Sequence, residues 1–158
     1  MIAPVHPEPL ADALAAVTAA PVALLAVGRP ACPACELLEM TLGIIAAARP
    51  GLTVASTALD SPEDWAGRET LLWPRAIRVS RASMPTLVLL RDGTAVSHRH
   101  GGGPAAVVDE WLTEHLGPGE TTLSGVSELE REALAGVADL RERHLAAKAG
   151  RGAPDIGG

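Results

Sequence analysis

The chain has no tyrosine and no phenylalanine, and its aromatic content of 2% consists of three tryptophans. A core must then be built from Ala, Val, Leu and Ile. A stacking platform for single-stranded nucleic acid, which needs rows of aromatics, is excluded. Basic residues are also few: 13 Lys and Arg stand against 19 Asp and Glu, for a net charge of -6. Binding to a phosphate backbone needs the opposite balance, so nucleic acid is not an expected partner. Asparagine is absent, which removes the Cys-His-Asn inventory of a papain-type cysteine protease. The glycines form neither a G-x-G-x-x-G nor a P-loop, and without a G-x-S-x-G elbow His100-Gly101-Gly102-Gly103 reads as a flexible turn before a helix. No Lys or Arg precedes Arg29, and Asp12 and Pro21 interrupt the apolar stretch from Leu10 to Val27. That stretch reads as an amphipathic helix followed by a strand, not as a signal peptide or membrane anchor. A cytoplasmic protein with no membrane partner is the expectation.

What the sequence does contain is the balance of a globular protein, 47% hydrophobic and 20% charged residues over 158 positions. That length supports one domain with a core and leaves a surplus. The centre of the chain is Val22 to Val27, an unbroken apolar run read as a buried strand, followed by Gly28-Arg29-Pro30 and then Cys32-Pro33-Ala34-Cys35 at the start of a helix. The helix runs to Arg49-Pro50-Gly51, with Leu37, Leu38, Leu42, Ile44 and Ile45 as core contacts. Leu52 to Leu59 is the next strand, which makes a βαβ unit with two parallel strands.

Before this unit, Met1 to Glu8 reads as irregular and Pro9 opens a helix that stops at Pro21. After it, Ser61-Pro62-Glu63-Asp64 is a capped helix start, and Trp73-Pro74 ends that helix. Thr86 to Arg91 is a strand, Asp92-Gly93 a hairpin turn, and Ala95 to His98 the return strand. Pro104 to Leu116 is a closing helix with Val107, Val108, Trp111 and Leu112 inward. The expected organisation is a domain over residues 1–117, a linker over 118–124, a C-terminal helix over 125–150 and a disordered tail over 151–158. Ser127-Glu128-Leu129-Glu130 reads as the capping box of that helix. Val126, Leu129, Ala133, Val137 and Leu140 mark its apolar stripe, which must lie on the domain, on a second copy as a homodimer, or on another partner.

The two cysteines are too few for a structural framework, and in a reducing compartment such a pair is catalytic or metal-binding more often than structural. A strand-to-helix junction offers unpaired N–H groups and the positive end of the helix dipole, which favour a thiolate. The pair reads first as a reversible dithiol. A zinc half-site completed by His98 and His100 or by a dimer, and two cysteines packed as small apolar residues, are the alternatives.

Strand, C-x-x-C and helix, followed by Ser83-Met84-Pro85-Thr86 leading into an apolar strand and Asp92-Gly93, together resemble the thioredoxin superfamily over roughly Leu10 to Leu116. The resemblance implies an α/β thioredoxin fold, a central mixed β-sheet flanked by helices, here with a C-terminal helical extension. It implies a thiol-disulfide oxidoreductase in which Cys32 attacks, Cys35, one turn deeper and shielded, resolves, and Pro85 is a cis-proline facing them. No cofactor is expected beyond the redox-active Cys32–Cys35 disulfide, and no metal. Met84, Pro85, Thr86 and Trp73 are the substrate-binding candidates, Trp73 as core or as a lip of the cleft. Partners would be protein disulfides and a reductase or thiol donor. The chain departs from thioredoxins at two positions: Ala31 stands where a tryptophan precedes the first cysteine, and Ala26 where a buried aspartate serves the resolving thiol. The proton of Cys35 would then pass to water or to Glu36. A non-catalytic thioredoxin-like adaptor or assembly chaperone, holding a partner with the cis-proline groove and the extra helix, is the competing function.

Overall fold

The computed structural model describes residues 2–122 and 125–135. Its elements are α1 (Leu10–Ala19), β1 (Val22–Gly28), α2 (Pro33–Ala48), β2 (Thr53–Ala58), α3 (Pro62–Gly67), β3 (Thr86–Arg91), β4 (Thr94–His100) and α4 (Ala105–Leu116). The sheet order is β2-β1-β3-β4. β1 and β2 are parallel, as the helix between them requires, while β3 runs antiparallel to both β1 and β4.

Alternation along β1 divides the core. Ala23, Leu25 and Val27 face α1 together with Val88, Leu90, Leu72 and Ile77. Leu24 and Ala26 face α2 and α4 together with Leu42, Ile45, Leu87, Leu89 and Leu112. Both faces of β1 are therefore covered, which is why its sequence is apolar without a break. The β3–β4 turn has positive φ at both Asp92 (51°) and Gly93 (80°). This is the turn whose twist matches the flanking strands. Ser61 and Asp64 cap α3 reciprocally. Backbone N–H donors from Asp60 and Ser61 hold the Asp64 carboxyl below its ordinary range. α3 continues through one wide π turn over Arg68–Leu72 into a 3-10 turn at Trp73–Arg75, which ends with Ala76 in the left-handed region (φ 60°).

Several expectations are corrected. Leu37 is 70% exposed, because it lies one residue off the stripe that Leu38, Leu42 and Ile45 turn inward, and Val107 likewise points out while Ala105, Val108, Trp111 and Leu112 point in. The N-terminal arm is irregular but docked: Val5 N–H donates to the Glu39 carbonyl and Glu8 N–H to that of Ser56. The helix at 125–135 starts earlier than the Ser127 box, because Thr122 caps it: its side chain accepts from Gly125 N–H at 3.1 Å and its carbonyl from Val126 N–H. Glu130 is thereby released from a local cap and its carboxylate accepts from Ala105 N–H, at the start of α4, where Pro104 has no side-chain cap to offer. Val126 is fully buried, and Leu129 and Ala133 pack beside it on the α2–α4 face. Val137, Leu140 and the tail over 151–158 lie outside the described residues. No described helix is long and apolar enough to cross a membrane.

Candidate functional site

β1 ends at Gly28, and the chain then turns through Arg29 and Pro30 into Ala31, which adopts a left-handed conformation (φ 52°) that L-residues with a side chain seldom take. This sharp reversal delivers Cys32 to the N-cap of α2, with extended backbone (φ -117°, ψ 105°), and Pro33 to the first helical turn. The backbone N–H of Cys35 donates to Cys32 Sγ at 3.2 Å. The Cys32 sulfur thus occupies the place a serine or aspartate oxygen takes in an ordinary cap. In a reduced protein, such a hydrogen bond and the positive helix end favour charge on a sulfur so placed. Cys32 and Cys35 are joined in a disulfide, with Cα atoms 5.2 Å apart.

A cleft of about 270 Å³ opens beside the pair. Its walls come from the Gly28–Ala31 turn, from Glu36 and Glu39 on α2, from Ser56 and Thr57 on β2, and from Pro85. Ala26 and Leu42 close its floor. The Met84–Pro85 bond is cis, Pro85 is buried, and its carbonyl accepts from Gly101 N–H at 2.7 Å. That hydrogen bond ties the loop to the end of β4. Pro85 is thereby brought to the cysteines across the sheet.

The other candidates are placed differently. Met84 is half-buried against the α1 side of the core. Thr86 is fully buried, and its hydroxyl donates to the Ser83 carbonyl at 2.6 Å, so its side chain braces the loop and does not line the cleft. Trp73 is 41% exposed and is not among the residues lining the cleft. The tryptophan next to the site is Trp65, which shares a shallow depression with Arg29 and Pro30. Depth within the pair is reversed relative to expectation. Cys32 is only 6% exposed, while Cys35 is half-buried, because Cys35 faces the space left by Gly28 and Cys32 is closed in at the cap. Among the described residues no group of three or more His, Cys, Asp or Glu is disposed to hold a metal ion. His98 is engaged elsewhere: its Nε2 accepts from Arg78 N–H at 3.0 Å, and burial, followed by the charges of His100 and Arg78, pushes its pKa down.

Two features of the site escape a reading by pattern. Gly28 is required by Cys35, since a Cβ there would stand 2.9 Å from its Sγ. Thr57 is buried in the cleft wall, and its hydroxyl has no partner among the described residues. A strand-end glycine and an alternating threonine carry no distinguishing signal in sequence.

No protein-family model and no curated protein matches the chain. Solved structures do. A thioredoxin variant from Halobacterium salinarum is similar at 20% identity and a TM-score of 0.53, over 70% of this chain and 88% of that one. Oxidised mitochondrial thioredoxin 3 from Saccharomyces cerevisiae is similar at 15% identity and a TM-score of 0.51, over 70% and 94%. Reduced desulfothioredoxin from Desulfovibrio vulgaris is similar at 22% identity and a TM-score of 0.50, over 64% and 88%. The fold is the thioredoxin fold: a mixed four-stranded sheet flanked by helices, with the beginning of a C-terminal helix packed against it.

Proposed function

We propose that this chain is a dithiol-disulfide oxidoreductase that acts on protein disulfides in a reducing, cytoplasmic compartment. The observation that carries the reading is the Cys35 N–H to Cys32 Sγ hydrogen bond at the N-cap of α2, with Pro85 across the cleft. A sulfur held by a backbone donor at a helix start is stabilised as thiolate, the species that attacks disulfides.

In the reduced protein, Cys32 thiolate attacks one sulfur of the substrate disulfide. That S–S bond breaks, and a Cys32–substrate mixed disulfide and a substrate thiolate result. Cys35, once deprotonated, attacks Cys32 Sγ, closes the Cys32–Cys35 disulfide and releases the second substrate thiol. The substrate gains two electrons and the protein loses two; a reductase or small thiol donor restores the dithiol. The bound polypeptide lies beside Pro85, and its reacting sulfur sits over the turn that carries Cys32.

Turbidity from dithiothreitol-driven insulin reduction tests this directly. Catalysis that vanishes in Cys32→Ser, together with alkylation of Cys32 ahead of Cys35 in the reduced protein across pH, is the expected result. Equal labelling of the two thiols would overturn their assigned order. A chain that binds partners without turning over any disulfide is the adaptor instead.

A further inference from the structure

The chain is acidic, yet its charges are unevenly placed. Residues 70–103, the stretch that carries Pro85, hold five of the 13 basic side chains (Arg75, Arg78, Arg81, Arg91 and Arg99), two histidines and one of the 19 acids, Asp92. Those nearest the site are ordered by tryptophan. Arg81 lies 4.3 Å from the Trp65 ring centre and Arg78 lies 5.3 Å from that of Trp73, with Arg68 between at 5.4 and 6.0 Å from the two rings. Among the described residues the ion pairs are His6–Glu39 and Arg49–Asp109, so none of these arginines is neutralised by a carboxylate. Arg68 has a buried Nε without an acceptor among the described residues, although its Nη1 donates to the Val79 carbonyl.

Stacking on an indole holds a guanidinium in place and leaves N–H groups for a carboxylate; Arg78 spends Nη1 on the Trp73 carbonyl at 3.4 Å and keeps its other N–H groups. Arg78 and Arg81 are exposed. The stack also reaches the active site, because a depression of about 230 Å³ bounded by Arg29, Pro30, Trp65 and Arg81 abuts the turn into Cys32. Asp60 borders it as the one carboxylate and leaves the depression net positive.

We propose that the arginine–tryptophan face of Arg29, Trp65, Arg68, Trp73, Arg78 and Arg81 docks an acidic stretch of partner polypeptide flanking the disulfide that enters the cleft. Arg29 and Arg81 take the carboxylate nearest the reacting sulfur, and Arg78 on Trp73 takes one further along. The proposal rests on the reading of Cys32 and Cys35 as the redox pair, and it adds the chemical class of substrate that the pair selects.

The test uses the full reduced chain and three disulfide-bonded peptides of equal length, alike except that the flanks of the disulfide carry glutamate, glutamine or lysine. Exchange with the glutamate peptide should be faster than with the glutamine peptide by about tenfold at low salt, and the lysine peptide should be slowest. The glutamate advantage should vanish at about 1 M salt, where the screening length is about 3 Å. The double variant Arg78→Gln, Arg81→Gln should bring the glutamate-to-glutamine ratio toward one. A ratio near one in the unaltered chain, with glutamine-peptide exchange measurable, overturns the docking while leaving the redox reading intact. If no peptide exchanges, the redox reading fails, and fluorescence anisotropy of cysteine-to-serine versions of the peptides on the oxidised chain then decides the docking: tighter binding of the glutamate form supports it, and equal binding overturns it. Competition by a short oligonucleotide as effective as the glutamate peptide would show an undiscriminating anion surface and would also overturn the proposal.

Discussion

Gly28 and Cys35 share one small volume: a Cβ added to the glycine would stand 2.9 Å from the cysteine Sγ and 3.3 Å from its Cβ. Gly28 has no positive φ, so its backbone accepts alanine and the conflict is with the Cys35 side chain. Gly28→Ala is expected to push Cys35 away from Cys32, costing about 1–3 kcal/mol of stability through overpacking. Resolution of the mixed disulfide should slow by on the order of 10- to 100-fold, the scale of a small misplacement of a reacting group. Quenched exchange followed by mass spectrometry checks this, through the lifetime of the Cys32-linked species.

Among the described residues the C-terminal segment is anchored in the core at Val126, with Leu129 and Ala133 packed beside it. Val126 is fully buried in the α2–α4 cluster and Glu130 supplies the cap that Pro104 cannot. Val126→Ala should cost about 1–3 kcal/mol. Glu130→Gln should cost about 0.5–1 kcal/mol by removing a carboxylate from a helix N-terminus. Denaturant midpoints that do not move in either variant would show that this segment adds nothing to the fold's stability.

Arg49 and Asp109 form a buried pair, Nε to Oδ1 at 2.7 Å, and Arg49 also donates to Thr113 Oγ1 and the Gly117 carbonyl. This network joins the end of α2 to α4. Removing one partner strands a buried charge, so Asp109→Ala is expected to cost about 3–5 kcal/mol, whereas exchanging both residues for apolar ones of similar volume should cost less. Urea unfolding at unchanged slope measures both.

These cases mark where sequence reading stops. The Val22–Val27 strand, the helix after Cys35, the parallel β2 and the Asp92-Gly93 turn all follow from local rules of periodicity and turn chemistry, and the structure has them. Leu37 and Val107 face outward although apolar spacing places them inward, because a small error in helical phase is enough to send an apolar residue outward. Arg49 at a helix end reads as a solvated cation, and only the approach of α4, 60 residues later, makes it a buried one. Ser127 and Glu130 satisfy the local capping rule, but a tertiary partner, Ala105 N–H, takes the carboxylate. The C-x-x-C is legible as a pair able to close a disulfide. The burial order of the two cysteines is not, because it depends on the turn at Ala31 and on the space at Gly28, which no spacing rule encodes.

His98 gives the fold a pH dependence. Its pKa is pushed below the ordinary 6.5, first by burial and then by His100 and Arg78, and its neutral Nε2 accepts from Arg78 N–H. As pH falls through about 6.5 the unfolded chain takes the proton before the folded one does. The stability that neutral His98 secures is therefore complete above that value and is lost as pH drops toward the lower folded pKa. His98→Gln keeps an acceptor and cannot titrate, so melting temperature should fall less between about pH 7 and pH 5 in the variant than in the unaltered chain. Parallel curves would exclude His98 as the titrating group.

Ala26 is 2% exposed on the floor of the cleft that Cys35 borders, and no carboxylate stands at that position to take a proton from Cys35. Glu36 and Glu39 reach the same cleft from α2, Glu36 from the first turn that bears Cys35. A well-placed general base contributes about 10² to 10⁴ in rate. The expectation is that attack by Cys32 is fast and resolution by Cys35 slow, so that Cys35→Ser accumulates covalent complexes in a lysate and Glu36→Gln slows turnover of the natural chain further. Ala26→Asp introduces a carboxyl that burial should hold above its usual pKa, and turnover should rise with pH as it ionises. If Ala26→Asp folds normally and is no faster at any pH, the proton of Cys35 leaves by another route and the slow step lies elsewhere.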